Sequence, residues 1–170
     1  LEEGVATLGR QPDACVIGCF GEPGLMAARH RWRFPVVGMA EASVLMALQM
    51  GGRYGVLTAG KHWPRMLADL LRSFGVDQRC AGILEVEGEP LALATDPAAA
   101  LRAVNLALAV AMEQFQPDVL ILGGVSLVGL AAELRQAPVP VIDCFDAAVG
   151  QALALVAMNG RRMPTGLVAQ

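Results

Sequence analysis

Two stretches of this chain match one another without a gap at a constant spacing, and that duplication limits the folds open to it. Pro12-Asp-Ala-Cys-Val-Ile-Gly-Cys-Phe-Gly-Glu-Pro-Gly-Leu25 aligns with Pro117-Asp-Val-Leu-Ile-Leu-Gly-Gly-Val-Ser-Leu-Val-Gly-Leu130. Phe34-Pro-Val-Val-Gly-Met-Ala-Glu-Ala42 aligns in the same way with Val139-Pro-Val-Ile-Asp-Cys-Phe-Asp-Ala147. Pro117 against Pro12, and Pro140 against Pro35, both give an offset of 105 residues. One offset shared by two separate blocks is the mark of two similar lobes built by duplication. In this register Cys19 faces Gly124, and Cys144 faces Met39.

Each copy opens on a short apolar run bounded by turn residues, too short for a helix, which reads as a strand buried on both faces and so implies a parallel sheet. Strands are predicted over Ala14–Gly18, Pro35–Gly38, Arg53–Thr58, Cys80–Val86, Val119–Leu122 and Val139–Asp143. Helices are predicted between them over Leu25–Arg31, Ala40–Met50, His62–Phe74, Asp96 to about Gln116, Leu127–Gln136 and Phe145–Met158. Leu1–Gly9 has helical spacing and reads as the last turns of a longer helix, and Arg161-Arg162 begins a polar tail. Strands alternating with helices give parallel α/β, with ligands expected at the C-terminal ends of the strands.

The repeat assigns residues 1–50 to a partial first lobe, 51–150 to the second lobe, and 151–170 to the end of the closing helix and a tail. Four strands are predicted in the second lobe and two in the first. The expectation is therefore an N-terminally truncated first lobe lacking two strands with their helices, roughly 50 residues ahead of Leu1. The alternative is a partner chain covering the open edge.

Composition sets bounds on partners. With 55% hydrophobic and 17% charged residues in 170, the chain can bury a sizeable core. A net charge of −3 without a basic run argues against nucleic acid or an anionic membrane surface. Four cysteines at uneven positions form neither a disulfide framework nor a CxxC metal site, so reduced thiols in the cytoplasm and no metal are expected. No apolar run reaches the roughly 18 residues of a membrane span, and no basic segment followed by an apolar block marks a signal peptide.

Cys19 is the leading chemical candidate. It ends a strand, precedes the glycine-rich turn Phe20-Gly21-Glu22-Pro23-Gly24, and stands before a helix start whose N–H groups would favour a thiolate. A buried packing cysteine explains the same position. Cys15 and Cys80, earlier on their strands, read as packing residues. Cys144 ends a strand before the closing helix and reads either as a site thiol or as core beneath that helix. Glu41 and Asp146 are repeat-equivalent acids at helix starts, where they offset the dipole. Glu22 faces either a ligand or solvent. Thr58, Ala59 and Gly60 could hold a carboxylate or imide oxygen through the hydroxyl and backbone N–H groups, or form an ordinary turn. His30 and His62 read as surface residues. Gly123-Gly124 lacks the third glycine of a dinucleotide fingerprint.

Ile17-Gly-Cys-Phe-Gly-Glu-Pro-Gly-Leu25, Pro35-Val-Val-Gly-Met-Ala-Glu-Ala42, Val56-Leu-Thr-Ala-Gly-Lys-His-Trp63, Ile121-Leu-Gly-Gly124 and Pro140-Val-Ile-Asp143 together resemble the aspartate/glutamate/hydantoin racemase superfamily, in particular its hydantoin racemase branch. The resemblance implies two pseudo-symmetric flavodoxin-like lobes with the site in the cleft between them. It also implies a cofactor-independent isomerase in which two cysteines on opposite faces of the substrate move the proton at a carbon next to a carbonyl. Cys19 matches the first family cysteine, whereas the second falls at Gly124. Phe20, Gly21, Thr58, Ala59, Gly60, Gly123 and Gly124 are the implied substrate-binding positions.

The expected activity is racemisation of an amino acid or a hydantoin-like derivative, a small-molecule substrate, by a homo-oligomer. Cys144 is the candidate to replace the thiol lost at Gly124. Two alternatives stand beside it: a one-cysteine decarboxylase or cis-trans isomerase of the same superfamily, and a non-catalytic fragment.

Overall fold

In a computed structural model of the chain, residues 4, 7, 8 and 10–160 are described. Most of the helix expected over Leu1–Gly9, and the tail from Arg161, lie outside the described residues. The strands β1 (Cys15–Ile17) and β2 (Val36–Gly38) form a two-stranded parallel sheet. The strands β3 (Tyr54–Ala59), β4 (Cys80–Val86), β5 (Val119–Gly123) and β6 (Val141–Asp143) form a second parallel sheet in the order β4-β3-β5-β6. The fold is thus the expected α/β with parallel sheets.

The duplication holds at the level of individual strand pairs. Cys15 lies opposite Val36 and Ile17 opposite Gly38 in the first sheet, as Leu120 lies opposite Val141 and Leu122 opposite Asp143 in the second. Every one of these positions differs from its counterpart by 105. Gly24 and Gly129, also counterparts, both turn the chain in the left-handed region at φ 75° and 88°, where a side chain would be strained.

Among the described residues, five helices lie between the strands, α1 (Leu25–Arg31), α2 (Met39–Met50), α3 (Trp63–Ser73), α4 (Pro90–Thr95) and α5 (Pro97–Gln114), and α6 (Cys144–Gly160) follows β6. The helices α2 and α6 pack against each other and against strands of both sheets, so they form the layer between the two lobes. Ala40, Ala42, Ala47, Ala147, Ala148 and Ala152 are buried there, and such small side chains let two helices approach closely. Strand alternation divides the rest of the core. Val56 and Ile121 face α2 and α6, whereas Leu57, Leu120 and Leu122 face Ala100, Val104 and Ala111 of α5. Asp96 starts α5 by accepting from the Ala99 N–H at 2.9 Å, with Pro97 in the first turn where no amide hydrogen is needed.

Two local readings are corrected. Where a helix over Leu127–Gln136 was expected, the chain makes two short 3-10 turns, Val125–Leu127 and Leu130–Glu133. Gly129 breaks the run, because it sits in the left-handed region and gives its N–H to the Asp143 carboxylate at 2.6 Å. Between β4 and α5, where no element is predicted, Pro90–Thr95 forms α4, a short helix that periodicity over six residues does not reveal.

Candidate active site

The C-terminal ends of β1, β3 and β5 open onto one cavity of about 340 Å³. The first lobe contributes Gly18, Cys19 and Phe20; β3 and the start of α3 contribute Thr58, Ala59 and Trp63. Gly124, Val125 and Ser126 line it from the loop after β5, and Pro90, Leu91 and Ala94 from α4. Of the expected site residues, the fold therefore brings Cys19, Phe20, Thr58, Ala59 and Gly124 to this one cavity. Gly21, Gly60, Gly123 and Cys144 are not among the lining residues.

The reasons for those four exclusions differ. Gly123 is the seat of Phe20: a Cβ there would lie 2.7 Å from the ring's Cζ, so only glycine lets the buried ring cross from one lobe onto the end of β5. That contact brings the Cys19 turn and the Gly124 loop onto one cavity. Gly21 is pressed on the Trp63 ring, with an added Cβ 2.8 Å from Cζ3, and Gly60 meets the same indole at 2.9 Å. Cys144 is 0% exposed in the core. Its thiol points from behind the cavity wall at the Gly124 carbonyl, 4.0 Å away.

Electrostatics separates the thiols further. Burial pushes the Cys144 thiol up to about 11, against hydrogen bonds that favour the thiolate. Burial likewise pushes Cys15 and Cys80 up. Cys19 is half-buried on the cavity wall. As expected, α1 begins at Leu25; Cys19 enters the turn before it, where its carbonyl accepts from the Glu22 N–H at 2.9 Å.

Gly124 departs from ordinary backbone, with φ 138°. A Cβ there would meet nothing closer than ordinary contact, its nearest neighbours being Thr58 Oγ1 at 3.9 Å and Ser126 Oγ at 4.0 Å. Two hydroxyls thus flank the place where a side chain at 124 would sit. Trp63, Ser126 and α4 were not foreseen from the sequence, and the α4 residues carry no local signal that could have found them.

Glu22 was expected to meet ligand or solvent, and the structure overturns this. It is 5% exposed, and its carboxylate accepts the Glu41 N–H at 2.8 Å in the first turn of α2. Burial pushes the Glu22 carboxyl up, opposed by the Glu41 and Ala40 N–H groups and by Arg29. Arg29 itself binds the Val36 carbonyl at 2.9 Å and pairs with Glu41. Among the described residues no cluster of three or more His, Cys, Asp or Glu could hold a metal ion, and no helix is long and apolar enough to cross a membrane. His30 and His62 are exposed.

Comparison with known proteins agrees with this geometry. The chain is 34% identical over 145 residues to the hydantoin racemase of Rhizobium meliloti, covering 85% of this chain and 60% of that protein. It therefore spans about three-fifths of that relative's length. The allantoin racemase of Klebsiella pneumoniae superposes with a TM-score of 0.86 at 33% identity, over 93% of this chain and 65% of that one. The allantoin racemase of Pseudomonas fluorescens gives 0.83 at 32% identity, over 93% and 68%. The family profile described as Asp/Glu/Hydantoin racemase matches residues 1–152. With the repeat, the paired sheets and the cavity between them, these matches establish that the chain belongs to the Asp/Glu/Hydantoin racemase family.

Proposed function

We propose that this cavity removes and returns the proton on a carbon next to a carbonyl of a cyclic amide such as a 5-substituted hydantoin, with Cys19 as the acid–base group and no cofactor. The observation that carries the reading is that Cys19 is the one titratable side chain among the residues lining the cavity. A thiolate there takes the proton, and the enolate oxygen that forms is met by the Thr58 hydroxyl, 1% exposed as a residue but facing the cavity. Among the described residues the cavity is lined mostly by apolar groups with the Thr58 and Ser126 hydroxyls, a lining that suits a neutral ring. A thiol-dependent reaction also suits a reducing compartment such as the cytoplasm.

Gly124 favours a second reading beside the first. With no acid at that position, the enolate is reprotonated by Cys19 on the face it left, giving exchange with retention. The same enolate could arise by loss of carbon dioxide, the bonding electrons passing to the carbonyl oxygen before the thiol protonates the carbon.

Both readings are tested by incubating the full-length protein with optically pure 5-substituted hydantoins in D2O. Deuterium should enter at the ring carbon, and Cys19→Ser should slow entry by about 10²-fold or more. Exchange unaffected by Cys19→Ser, or absent with every hydantoin, would overturn the proposal. Exchange faster than loss of optical purity would select the one-face reading.

A further inference from the structure

The two lobes tie down their cavity loops with carboxylates placed at different points of the repeat. In the second lobe Asp143, the last residue of β6, accepts the Phe145 N–H at 2.9 Å and the Asp146 N–H at 3.4 Å through Oδ1, starting α6. Its other oxygen accepts the Gly129 N–H and so holds the loop that bears Gly124 and Ser126. The 105-residue offset puts Gly38 opposite Asp143, and Ala40 and Glu41 opposite Phe145 and Asp146. In the first lobe the strand end has no carboxylate, yet the same pair of helix N–H groups is served by Glu22, sent in from the Cys19 loop.

Gly38 makes this possible: a Cβ at that strand end would fall inside the Glu22 carboxylate, 2.6 Å from Oε2. The other oxygen and the carboxyl carbon would be closer still. Oε2 is buried with no hydrogen-bond partner among the described residues, so the side chain is held by Oε1 and by its fit under Gly38. The loop it holds is bent sharply. Glu22 itself has φ 52°, uncommon for a residue with a side chain, and such a conformation persists only where its surroundings fix it. The Glu22 N–H donates to the Cys19 carbonyl at 2.9 Å, and Gly21 lies on Trp63. Anchor and thiol are therefore three residues apart on one rigid turn.

We propose that Glu22 is a positioning residue for Cys19: its buried side chain, lodged under Gly38 against the start of α2, fixes the turn that sets the thiol on the cavity wall. Asp143 is its counterpart for the Gly124 loop. The inference rests on Cys19 being the reacting thiol, but its test needs no substrate. It therefore stands or falls separately from the exchange experiment.

The test is the pH profile of iodoacetamide alkylation at Cys19, read by mass spectrometry on full-length protein well below its melting temperature. Glu22→Ala should raise the limiting rate at high pH by about fivefold or more, because the freed turn exposes the thiol. Glu22→Gln, which keeps the shape and the accepting oxygen, should restore a rate within about twofold of the unmodified protein. Asp118→Ala is the control for simple loss of stability, since Asp118 binds the Arg53 N–H at 2.8 Å at the opposite, N-terminal ends of β3 and β5. It should leave Cys19 unchanged. If Glu22→Ala does not fold, Gly38→Ala evicts the same carboxylate without changing the sequence of the Cys19 loop and should give the same rise. A rate unchanged by evicting the carboxylate, or an equal rise in Asp118→Ala, would overturn the proposal and leave Glu22 as a helix cap alone.

Discussion

Gly38→Ala offers a quantitative check on the Glu22 seat, because the structure makes its cost depend on another residue. Gly38 has φ −91° and ψ 145°, which alanine adopts freely. Taken alone, replacing glycine there should stabilise by about 0.5 kcal/mol through the unfolded chain. In the presence of Glu22 the new methyl displaces the carboxylate. The hydrogen bond to the Glu41 N–H and the start of α2 are then lost, which costs about 2 kcal/mol for a cap made by an ionisable group. A further ~0.5 kcal/mol goes into the forced side-chain rotamer. The net loss is then ~2 kcal/mol, and Glu22→Ala alone should lose a similar ~2 kcal/mol. The double variant has no carboxylate to displace and keeps the alanine benefit, so it should lose only ~1.5 kcal/mol rather than the additive ~4. The coupling of about 2.5 kcal/mol is measurable by urea unfolding with global fitting, and each single variant should melt about 4–8 °C lower. Single costs that add, with coupling below about 0.5 kcal/mol, would refute the placement of Glu22 under Gly38.

Alkaline unfolding should report Cys144. Its thiol titrates near 9.0 when unfolded and at about 11 in the core. Between those values the folded protein holds a proton that the unfolded chain has released, so stability falls as pH rises from 9.0 to about 11. The loss is about 2–3 kcal/mol, and Cys144→Ala should remove that part of the slope in denaturant titrations at pH 8 and 11; an unchanged slope would place the thiol outside the core. Gly124→Cys should add a second thiol to the cavity, at a cost of about 1–3 kcal/mol for a side chain at φ 138°. In full-length protein the ratio of racemisation to deuterium exchange should rise, and an unchanged ratio would mean that the face at Gly124 is not the one the substrate presents.

Much of the backbone was legible in the chain itself. Short β-branched and apolar runs closed by Gly and Pro mark the strands, and the constant 105-residue offset predicts that β1 meets β2 in the same register as β5 meets β6. Cys19 was legible for the same reason: a strand end followed by glycines is a local pattern, and parallel sheets gather their sites at such ends. What the tertiary structure decided is which groups occupy the space that glycine leaves. Gly38, Gly123 and Gly124 look alike in sequence, yet one holds the Glu22 carboxylate, one seats Phe20, and one opens into the cavity. Glu22 read as a loop acid facing a ligand or solvent until the fold placed a strand end 16 residues later beside it. Cys144 and Cys19 each end a strand, but one thiol turns into the layer shared by α2 and α6 and the other into the cleft. Local pattern specifies where the chain bends and pairs; the environment of a side chain is set by segments distant in sequence that meet only once the two lobes have packed.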